Sequence, residues 1–599
     1  MSVEKLITAS AMDGVNVDHA GAIIDHIDLW TAAVRPKSSA GRGSNSKLEL
    51  TGIKKLRELI LELAVRGKLV PQDPSDEPAS VLLERITAEK ARLVKEGKIK
   101  KPKALPEIGE EEKPFELPEG WEWCRINQVF DMENGDRSKN YPNKSVLVEE
   151  GIPFVNAGQL TDGIVSKQEL DFISQERFDI LNSGKFDDGD ILFCLRGSLG
   201  KCAVVKNFGV GAIASSLIIL RSYIATCTDY LMIVLTSPLT YRNISKFNNG
   251  TAQPNLSGAD LSKFVLPFPP VEEQHRIVAK VHELMALCDQ LEQRSESQLA
   301  AHQTLVETLL STLTDCIDAY ELAQNWARLS THFDTLFTTE ASIDALKQTI
   351  LQLAVMGKLV PQDPSDEPAS ALLERIATEK AQLVKEKKIK KEKPLPAISE
   401  DEKPFELPQG WEWARLGNIG ICSTGKTPST GNSAFYDGEI PFIGPGQITP
   451  SGKLLAAEKY LSDVGLELSS EANAGDILMV CIGGSIGKST ICDRQIGFNQ
   501  QINSIRPILC DSYFLLAAMT TKAFTNLLLE RATGSATPII NRSKWEEIPI
   551  PMSPYQEQLR IISRVHELMA LCDQLKSRLQ TSQQTQLALA ESLVEGALA

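Results

Sequence analysis

The sequence predicts a mixed α/β protein built as one unit written twice, in which two globular domains are joined by long helices. The string GKLVPQDPSDEPAS occurs at residues 67–80 and again at 357–370, an offset of 290 residues. A second string, VHELMALCDQL, occurs at 281–291 and 565–575, an offset of 284 residues. Solenoid repeats have periods of only about 20–50 residues, so each copy here is the size of a domain or more. Two equivalent halves suggest two similar ligands, or one ligand with two similar parts.

Composition places the chain among ordinary soluble proteins. Its 599 residues are 42% hydrophobic and 24% charged, and the length suits about four globular units of roughly 150 residues. No apolar run reaches the roughly 18 residues of a membrane span, and the first residues do not resemble a signal peptide. We therefore expect a cytoplasmic protein without a membrane partner. Eleven cysteines without a CxxC pair predict free thiols and no zinc site.

The net charge of −15 argues by itself against a nucleic-acid partner, because phosphate binding normally requires a basic surface. Basic residues do cluster at 85–103 and again at 384–393. We interpret both clusters as solvated ends of helices, where cations complement the helix dipole.

Each copy begins with a helix, a turn and a second helix. Apolar residues at helical spacing predict amphipathic helices at 52–63 and 343–353. Gly67 and Gly357 stand where these helices would end, and the prolines of VPQDPSDEP break the chain before a helical pattern resumes at 79–93.

The pattern then changes to short apolar runs separated by turn residues, which is typical of strands. These runs are 151–158, 189–195 and 216–222 in the first copy, and 439–446, 475–482 and 503–509 in the second. Trp121 and Trp123, like Trp411 and Trp413, alternate as strand residues do. We expect them to be core anchors rather than platforms for stacking bases.

A long helix follows each set of strands, over about 271–312 in the first copy. In the second copy, Ser553 is the predicted N-cap, Pro554 the first-turn proline and Gln556 the capping-box residue. Apolar residues then follow a heptad pattern, which predicts that the two seams pack against each other or against the amphipathic helices. The seam residues are Ile277, Val281, Leu284, Cys288 and Leu291, and Ile561, Val565, Leu568, Cys572 and Leu575.

Motifs for catalysis are incomplete. GGSIGKS at 483–489 is one residue short of a phosphate-binding loop, because Ile482 precedes it. His282 and His566 resemble half of a zinc motif, but Ala286 and Ala570 occupy the place of the second ligand. We expect a chain that is not catalytic by itself and that binds no metal or cofactor.

Polar loops at matched positions are the candidate DNA-binding residues, because Asn, Gln and Arg pair with base edges while Lys and Ser suit phosphates. For each residue, a simple turn-forming role is equally open. The loops match in position but differ in residue, as expected if the halves read different versions of one kind of target. The candidates are Asn156, Gln159, Arg196, Ser198, Lys201, Asn248, Asn249, Thr251, Gln253 and Asn255 in the first copy, and Gln447, Ser485, Lys488, Ser535, Thr537, Asn541 and Arg542 in the second.

Several motifs together resemble the specificity subunit of type I restriction-modification systems. Each copy contains LPEGWEWCRI or LPQGWEWARL, then IPFxxxGQ, GDIL and a GxxGK loop, and the first copy adds GTAQPNLS and LPFPPVEEQHRI. The resemblance covers about residues 50–599, and GIKKLRELILELAVRGKLVPQDP resembles the type IB group. The second copy departs from the pattern with Thr537 in place of Gln253 and Ser553 in place of Pro269.

The resemblance implies two target-recognition domains, each reading one half of a bipartite double-stranded DNA site, held by antiparallel helices that form a coiled coil. It also implies two modification subunits that use S-adenosylmethionine, and restriction subunits that use ATP and Mg²⁺. Basic surfaces of the modification subunits would supply most phosphate contacts, which reconciles DNA binding with the acidic chain.

The predicted division follows this scheme: a helical region at 1–105, recognition domains at 106–270 and 396–553, and helical regions at 271–395 and 554–599. Because each recognition domain lies between similar helices, we expect a cyclic pseudo-twofold arrangement. Two other functions remain open: an unrecognised nuclease or methyltransferase, and a coiled-coil adaptor without DNA specificity.

Overall fold

The structure is a computed structural model that describes residues 25–36, 48–100, 105–247, 255–316, 319–534 and 537–598. The chain forms two compact units. The described part of the first unit comprises residues 25–36, 48–100, 105–247, 255–296 and 583–598, and that of the second comprises 297–316, 319–534 and 537–582.

The first unit opens with the helix-turn-helix that the sequence predicts. Helix α1 (Ile27–Ala32) is followed by the strand pair β1 (Arg35–Pro36) and β2 (Leu48–Glu49), and then by helices α2 (Thr51–Val65) and α3 (Ala79–Lys95). The apolar face of α2 is buried through Ile53, Leu56 and Leu63. Gly67 ends this helix with a φ of +68°, and a Cβ there would lie 2.5 Å from the Pro118 ring, so glycine suits the turn sterically as well as conformationally.

The first unit then contains two sheets of mixed direction and one antiparallel two-stranded sheet. Their strands are β3 (Glu122–Arg125), β4 (Phe130–Asn134), β5 (Leu147–Val148), β6 (Ile152–Val155), β7 (Leu160–Thr161), β8 (Ile164–Val165), β9 (Asp171–Ile173), β10 (Lys185–Phe186), β11 (Ile191–Cys194), β12 (Cys202–Val204), β13 (Gly211–Ile213), β14 (Leu217–Ser222) and β15 (Val265–Phe268). The strand orders are β10-β13-β6-β9-β5, β4-β14-β11-β12-β8-β7 and β15-β3. All four residues of β11 are buried, since it lies between β12 and β14.

The second unit repeats this plan with fewer strands. Its strands are β16 (Glu412–Arg415), β17 (Gly420–Thr424), β18 (Ile440–Ile443), β19 (Lys459–Leu461), β20 (Ser470–Ala472), β21 (Ile477–Val480), β22 (Ser489–Ile491), β23 (Ile496–Phe498), β24 (Ile502–Pro507) and β25 (Pro549–Met552). The orders β17-β24-β21-β22, β20-β23-β18-β19 and β25-β16 correspond to β4-β14-β11-β12, β10-β13-β6-β9 and β15-β3. The predicted mixed α/β fold and internal repeat are confirmed.

Short helices complete both sheet regions. Those of the first unit are α4 (Ile126–Val129), α5 (Gln175–Asp179), α6 (Thr228–Thr236), α7 (Pro238–Phe247) and α8 (Gly258–Leu261). Those of the second are α14 (Leu416–Ile419), α15 (Asp463–Leu468), α16 (Ser512–Met519), α17 (Lys522–Arg531) and α18 (Arg542–Glu546).

The two long helices are α9 (Val271–Thr314) and α19 (Tyr555–Leu598), each of 44 residues. Between α9 and β16 lie α10 (Ala319–Thr331), α11 (Phe333–Leu336), α12 (Glu340–Val355) and α13 (Ala369–Lys385). The sequence reading located α9 and α12 but missed α10. The predicted capping role of Ser553 is wrong: its hydroxyl bonds no described residue, and its carbonyl accepts from the Gln558 side chain at 3.0 Å instead.

The heptad seam of α19 packs against the amphipathic helix α12, one of the two predicted alternatives. Ile561, Val565 and Leu568 share one core with Ile343 and Leu346 of α12. The tail of α9 enters the same core with Val306, Leu310 and Leu313. In the first unit, the α9 seam is buried from Ile277 to Leu291.

The tail of α19 belongs to the first unit, where Leu587 and Ala590 are buried and Glu591 forms an ion pair with Lys55 of α2 at 3.1 Å. Each unit therefore contains the beginning of one long helix and the end of the other. Among the described helices, none is both long and apolar enough to cross a bilayer.

Candidate nucleic-acid interface

In the first unit, three polar loops meet at one end of strands β6, β11 and β12. Arg196 forms an isolated antiparallel bridge with Asn255. The Lys201 ammonium donates to the Ala157 carbonyl at 3.2 Å, which joins the loop 196–201 to the loop 156–159. Strands of two sheets thus bring Asn156, Arg196, Lys201 and Asn255 into one cluster, which we call loop cluster 1 and define as residues 156–159, 196–201 and 255.

In the second unit, the corresponding loops meet in the same way. The Gly483 amide donates to the Pro538 carbonyl at 2.9 Å, and the Ile540 amide donates to the Cys481 carbonyl at 3.0 Å. The Thr490 hydroxyl donates to the Gly452 carbonyl at 2.8 Å and fixes the turn after Gln447 to β22. We call residues 444–452, 482–488 and 537–541 loop cluster 2.

The two glutamines of the IPFxxxGQ motif each close their own loop and also bond a glutamate further along the chain, Glu169 or Glu458. Gln159 is only 7% exposed; its carbonyl accepts from the Asn156 amide at 3.0 Å, and its amide donates to the Glu169 carbonyl at 2.9 Å. The Gln447 carbonyl accepts from the Gly444 amide at 3.0 Å in the same manner. The described bonds of both glutamines shape the loop that carries the exposed residues.

Asn541 and Arg542 are tied to helix α18. The Asn541 side chain caps the helix by accepting from the Lys544 amide at 2.9 Å, as Ser257 caps α8 in the first copy. Arg542 donates to the Cys422 carbonyl at 3.3 Å and pairs with Glu546 at 3.0 Å. These contacts account for both residues structurally, so their DNA-binding role stays a prediction without added support.

The remaining candidates differ in accessibility. Ser198 and Thr537 are exposed, whereas Asn156, Ser485 and Lys488 are half-buried. Asn248, Asn249, Thr251, Gln253 and Ser535 lie outside the described residues.

Both clusters leave open space beside a glycine. Gly197 has a φ of +79° and Gly483 a φ of +92°, and a Cβ built on either would meet nothing within 4 Å. A backbone of this kind lets a ligand approach closely. The clusters therefore combine fixed loops, exposed polar groups and unobstructed approach.

The sequence did not predict a set of polar side-chain contacts that joins each sheet region to the long helix after it. We call this set of contacts the latch. The indole of Trp121 donates to Glu273 of α9 at 2.9 Å, and Trp411 donates to Glu557 of α19 at the same distance. Burial raises the pKa of Glu273 and of Glu557. The predicted role as core anchors is confirmed for Trp121, which is 5% exposed, and for Trp411, which is 6% exposed, whereas Trp123 and Trp413 are only half-buried.

An ion pair completes each latch. Arg276 of α9 binds Asp76 at 2.6 Å, and Arg560 of α19 binds Asp366. The repeated strings PQDPSDEP and EQxR thus meet across about 200 residues of chain. Both strings recur unchanged in the two copies, and this shared recurrence was the sequence signal that could have indicated a contact between them.

Comparison with known proteins assigns the chain. The family model described as the type I restriction modification DNA specificity domain matches residues 118–301 and again 408–582. The chain belongs to this family. Specificity subunits are the non-catalytic, DNA-recognising components of type I restriction-modification enzymes, so the family, function and non-enzymatic character expected from the sequence are confirmed.

Two relatives match this specificity subunit over its whole length. The specificity subunit of the type I restriction enzyme EcoAI from Escherichia coli is 43% identical, and that of EcoEI from Escherichia coli is 44% identical; each alignment covers 100% of both chains. The crystal structure of the HsdS subunit from Thermoanaerobacter tengcongensis aligns with 81% of this chain and 98% of that chain, at 17% identity and a TM-score of 0.41.

Proposed function

We propose that each sheet region of this specificity subunit reads one half of a bipartite DNA site, residues 121–270 one half and residues 411–553 the other. The observation that carries the proposal is the pair of loop clusters. Equivalent sheets hold them at equivalent places, yet Arg196 and Asn255 in cluster 1 are replaced by Ile482 and Ile539 in cluster 2. Such a difference on a shared scaffold suits recognition of two different half-sites.

We further propose that the helical regions dock two modification subunits, and that restriction subunits join this complex in the cytoplasm. The modification subunits would use S-adenosylmethionine, and the restriction subunits ATP and Mg²⁺. The net charge of −15 supports a shared DNA interface, because an acidic chain needs basic partner surfaces to neutralise phosphates.

Exchange of the two regions tests this assignment. Residues 121–270 or 411–553 are replaced by the equivalent block of a relative, the variant is co-expressed with the modification subunits, and N6-methyladenine is mapped across a genome. We expect each exchange to change one half of the methylated sequence and to leave the other half intact. A change in both halves after a single exchange contradicts independent reading.

The purified chain without partners is the control for catalysis. We expect it neither to methylate nor to cleave DNA. Sequence-dependent modification by the chain alone would instead favour the nuclease or methyltransferase alternative.

A further inference from the structure

Backbone hydrogen bonds establish which residues of the two loop clusters are equivalent. The Leu256 amide donates to the Leu195 carbonyl at 2.9 Å, as the Ile540 amide donates to Cys481. One residue along each strand, the bridge between Arg196 and Asn255 corresponds to the bridge between Ile482 and Ile539. The loop that follows is one residue longer in the second copy, where Gly487 stands in the place of Gly200.

Arg196 is oriented by a neutral partner, Asn255. Its Nε donates to the Asn255 side-chain carbonyl at 3.2 Å, and its side chain is exposed. Arg125 and Arg221 in the same unit bind the carboxylates of Glu112 and Asp190. Within the residues that the structure describes, no carboxylate pairs with Arg196. The bond to Asn255 uses Nε, and the edge formed by the two terminal nitrogens is not part of that bond.

Resting on the proposed function, we propose that Arg196 reads a guanine in the half-site recognised by residues 121–270. The terminal nitrogens donate to O6 and N7 of the guanine, and Asn255 is a positioning residue that fixes the plane of the guanidinium. Bidentate Arg–guanine pairing distinguishes G·C from the other base pairs in the major groove. The second domain has Ile482 and Ile539 at this place and does not read a guanine there.

Geometry favours a base over a phosphate as the partner of Arg196. A bidentate contact with a base edge requires a fixed guanidinium plane, and the bond from Nε to a neutral amide oxygen provides it without cancelling the charge. Ordering the side chain before binding also lowers the entropic cost of recognition. The open space beside Gly197 leaves room for the edge of the groove.

Substitution of Arg196 in the complex with the modification subunits tests the proposal. For Arg196→Ala, genome-wide mapping of N6-methyladenine should show that one position specified as G becomes degenerate, with discrimination at that position reduced about tenfold to a hundredfold. Arg196→Lys and Asn255→Ala should relax the same position to a smaller extent. Both variants keep the positive charge, but the first lacks the planar guanidinium and the second lacks the residue that fixes the plane of the guanidinium. The unchanged second half-site reports that each variant is folded.

Ile539→Ala is the matched control from the second copy, and it should leave every base of the first half-site unchanged. If Arg196→Ala weakens binding to all sequences equally and reduces the salt dependence of binding, Arg196 contacts a phosphate and the proposal is wrong. An unchanged methylated sequence overturns it too. Failure of the wild-type complex to methylate any bipartite site would instead overturn the proposed function, and this inference with it.

Discussion

The glutamates of the two latches, Glu273 and Glu557, differ in how many hydrogen bonds their carboxylates accept. Glu273 accepts from Trp121 and also from Gln72, at 2.9 and 2.7 Å. Glu557 accepts from Trp411, whereas its second carboxylate oxygen is buried and bonds no described residue. Among the described residues, the carboxylate of Glu273 therefore accepts a hydrogen bond at each oxygen, whereas that of Glu557 accepts at only one.

Glu557→Gln should raise the stability of the protein near neutral pH and have little effect near pH 4. Burial raises the pKa of Glu557 in the folded state above the unfolded value of about 4.3. The stability contributed by this group is then present below the unfolded pKa and is lost as pH rises through the folded pKa. Melting temperatures of the variant and the wild type, measured from pH 4 to pH 8, should diverge as pH increases.

Glu273→Gln is the matched comparison. It removes the same charge, but Glu273 accepts from two donors, Trp121 and Gln72. Because the NH2 group of the new glutamine would face one of these donors, we expect Glu273→Gln to be less stable than Glu557→Gln by about 1 kcal/mol. Equal effects of the two substitutions at all pH values would show that the second acceptor bond of Glu273 has no energetic importance.

Elements of the chain are fixed at their ends by long-range contacts. Lys358 donates to the carbonyls of Thr314 and Cys316 at 2.7 and 2.8 Å, which satisfies the last turn of α9. Lys68, its counterpart, donates to the Leu598 carbonyl at the end of α19 at 3.1 Å. The lysine of each GKLVPQDP string thus binds the C-terminal end of a long helix.

Lengthening α9 and α19 together should change the spacing between the half-sites without changing their bases, because each of these helices begins in one unit and ends in the other. A four-residue insertion is made directly after Leu299 of α9, beyond the seam and before Val306, and the same insertion is made directly after Gln583 of α19, the equivalent position of the repeat. Each insertion adds about 6 Å and about 40° beyond a full turn, and two base pairs occupy about 7 Å. Methylation mapping should therefore show a spacer longer by one or two base pairs.

Replacement of Gln303 and Thr304 by alanine alters the same stretch at constant length and should leave the spacer unchanged. Altered half-site bases with an unchanged spacer would show that α9 and α19 do not set the spacing.

Elements with strong periodicity were predictable, and contacts between distant segments were not. Helices α2, α9, α12 and α19 follow from apolar spacing, and β11 and β21 from short apolar runs bounded by glycine. Helix α10 was not predicted although Leu322, Trp326 and Leu329 have helical spacing, because it lies outside the strings that recur in the two copies.

At the candidate site, the sequence located the polar loops but not the role of each side chain. Gln159 and Asn541 have the residue types that contact bases, yet their described bonds close a loop and cap a helix. Such roles depend on which backbone amide lies within 3 Å, and periodicity does not specify this. The equivalence of Arg196 with Ile482 likewise emerged only from the strand register.

At the scale of the whole molecule, each unit contains the C-terminal end of a long helix that begins in the other unit. A chain that ends at Ser582 lacks Leu587 and Ala590, which are buried in the first unit, and Glu591, which binds Lys55. The second unit, which ends at Ser582, loses nothing. Because removal of one buried leucine side chain typically costs about 2–5 kcal/mol, we expect the truncation to destabilise the first unit selectively.

Hydrogen exchange measured by mass spectrometry provides the test. Peptides from α2 should exchange faster in the truncated chain, while peptides from α12 should exchange as in the full chain. Leu589→Ala, at an exposed position of the same tail, should change neither. Faster exchange of α12 in the truncated chain would contradict the assignment of residues 583–598 to the first unit.

The shared tails also determine the order in which the molecule can mature on the ribosome. Helix α2 emerges early, but the segment that completes its packing is translated about 500 residues later. At about 5–20 residues per second, the delay is roughly 25–100 s. Ser582, the last residue of the second unit, is translated before residues 583–598, so the half made first is the last to acquire its full core. During that interval the part of the first unit that receives residues 583–598 is available to chaperones, and profiling of ribosome-bound chains should find chaperones on this unit until translation ends.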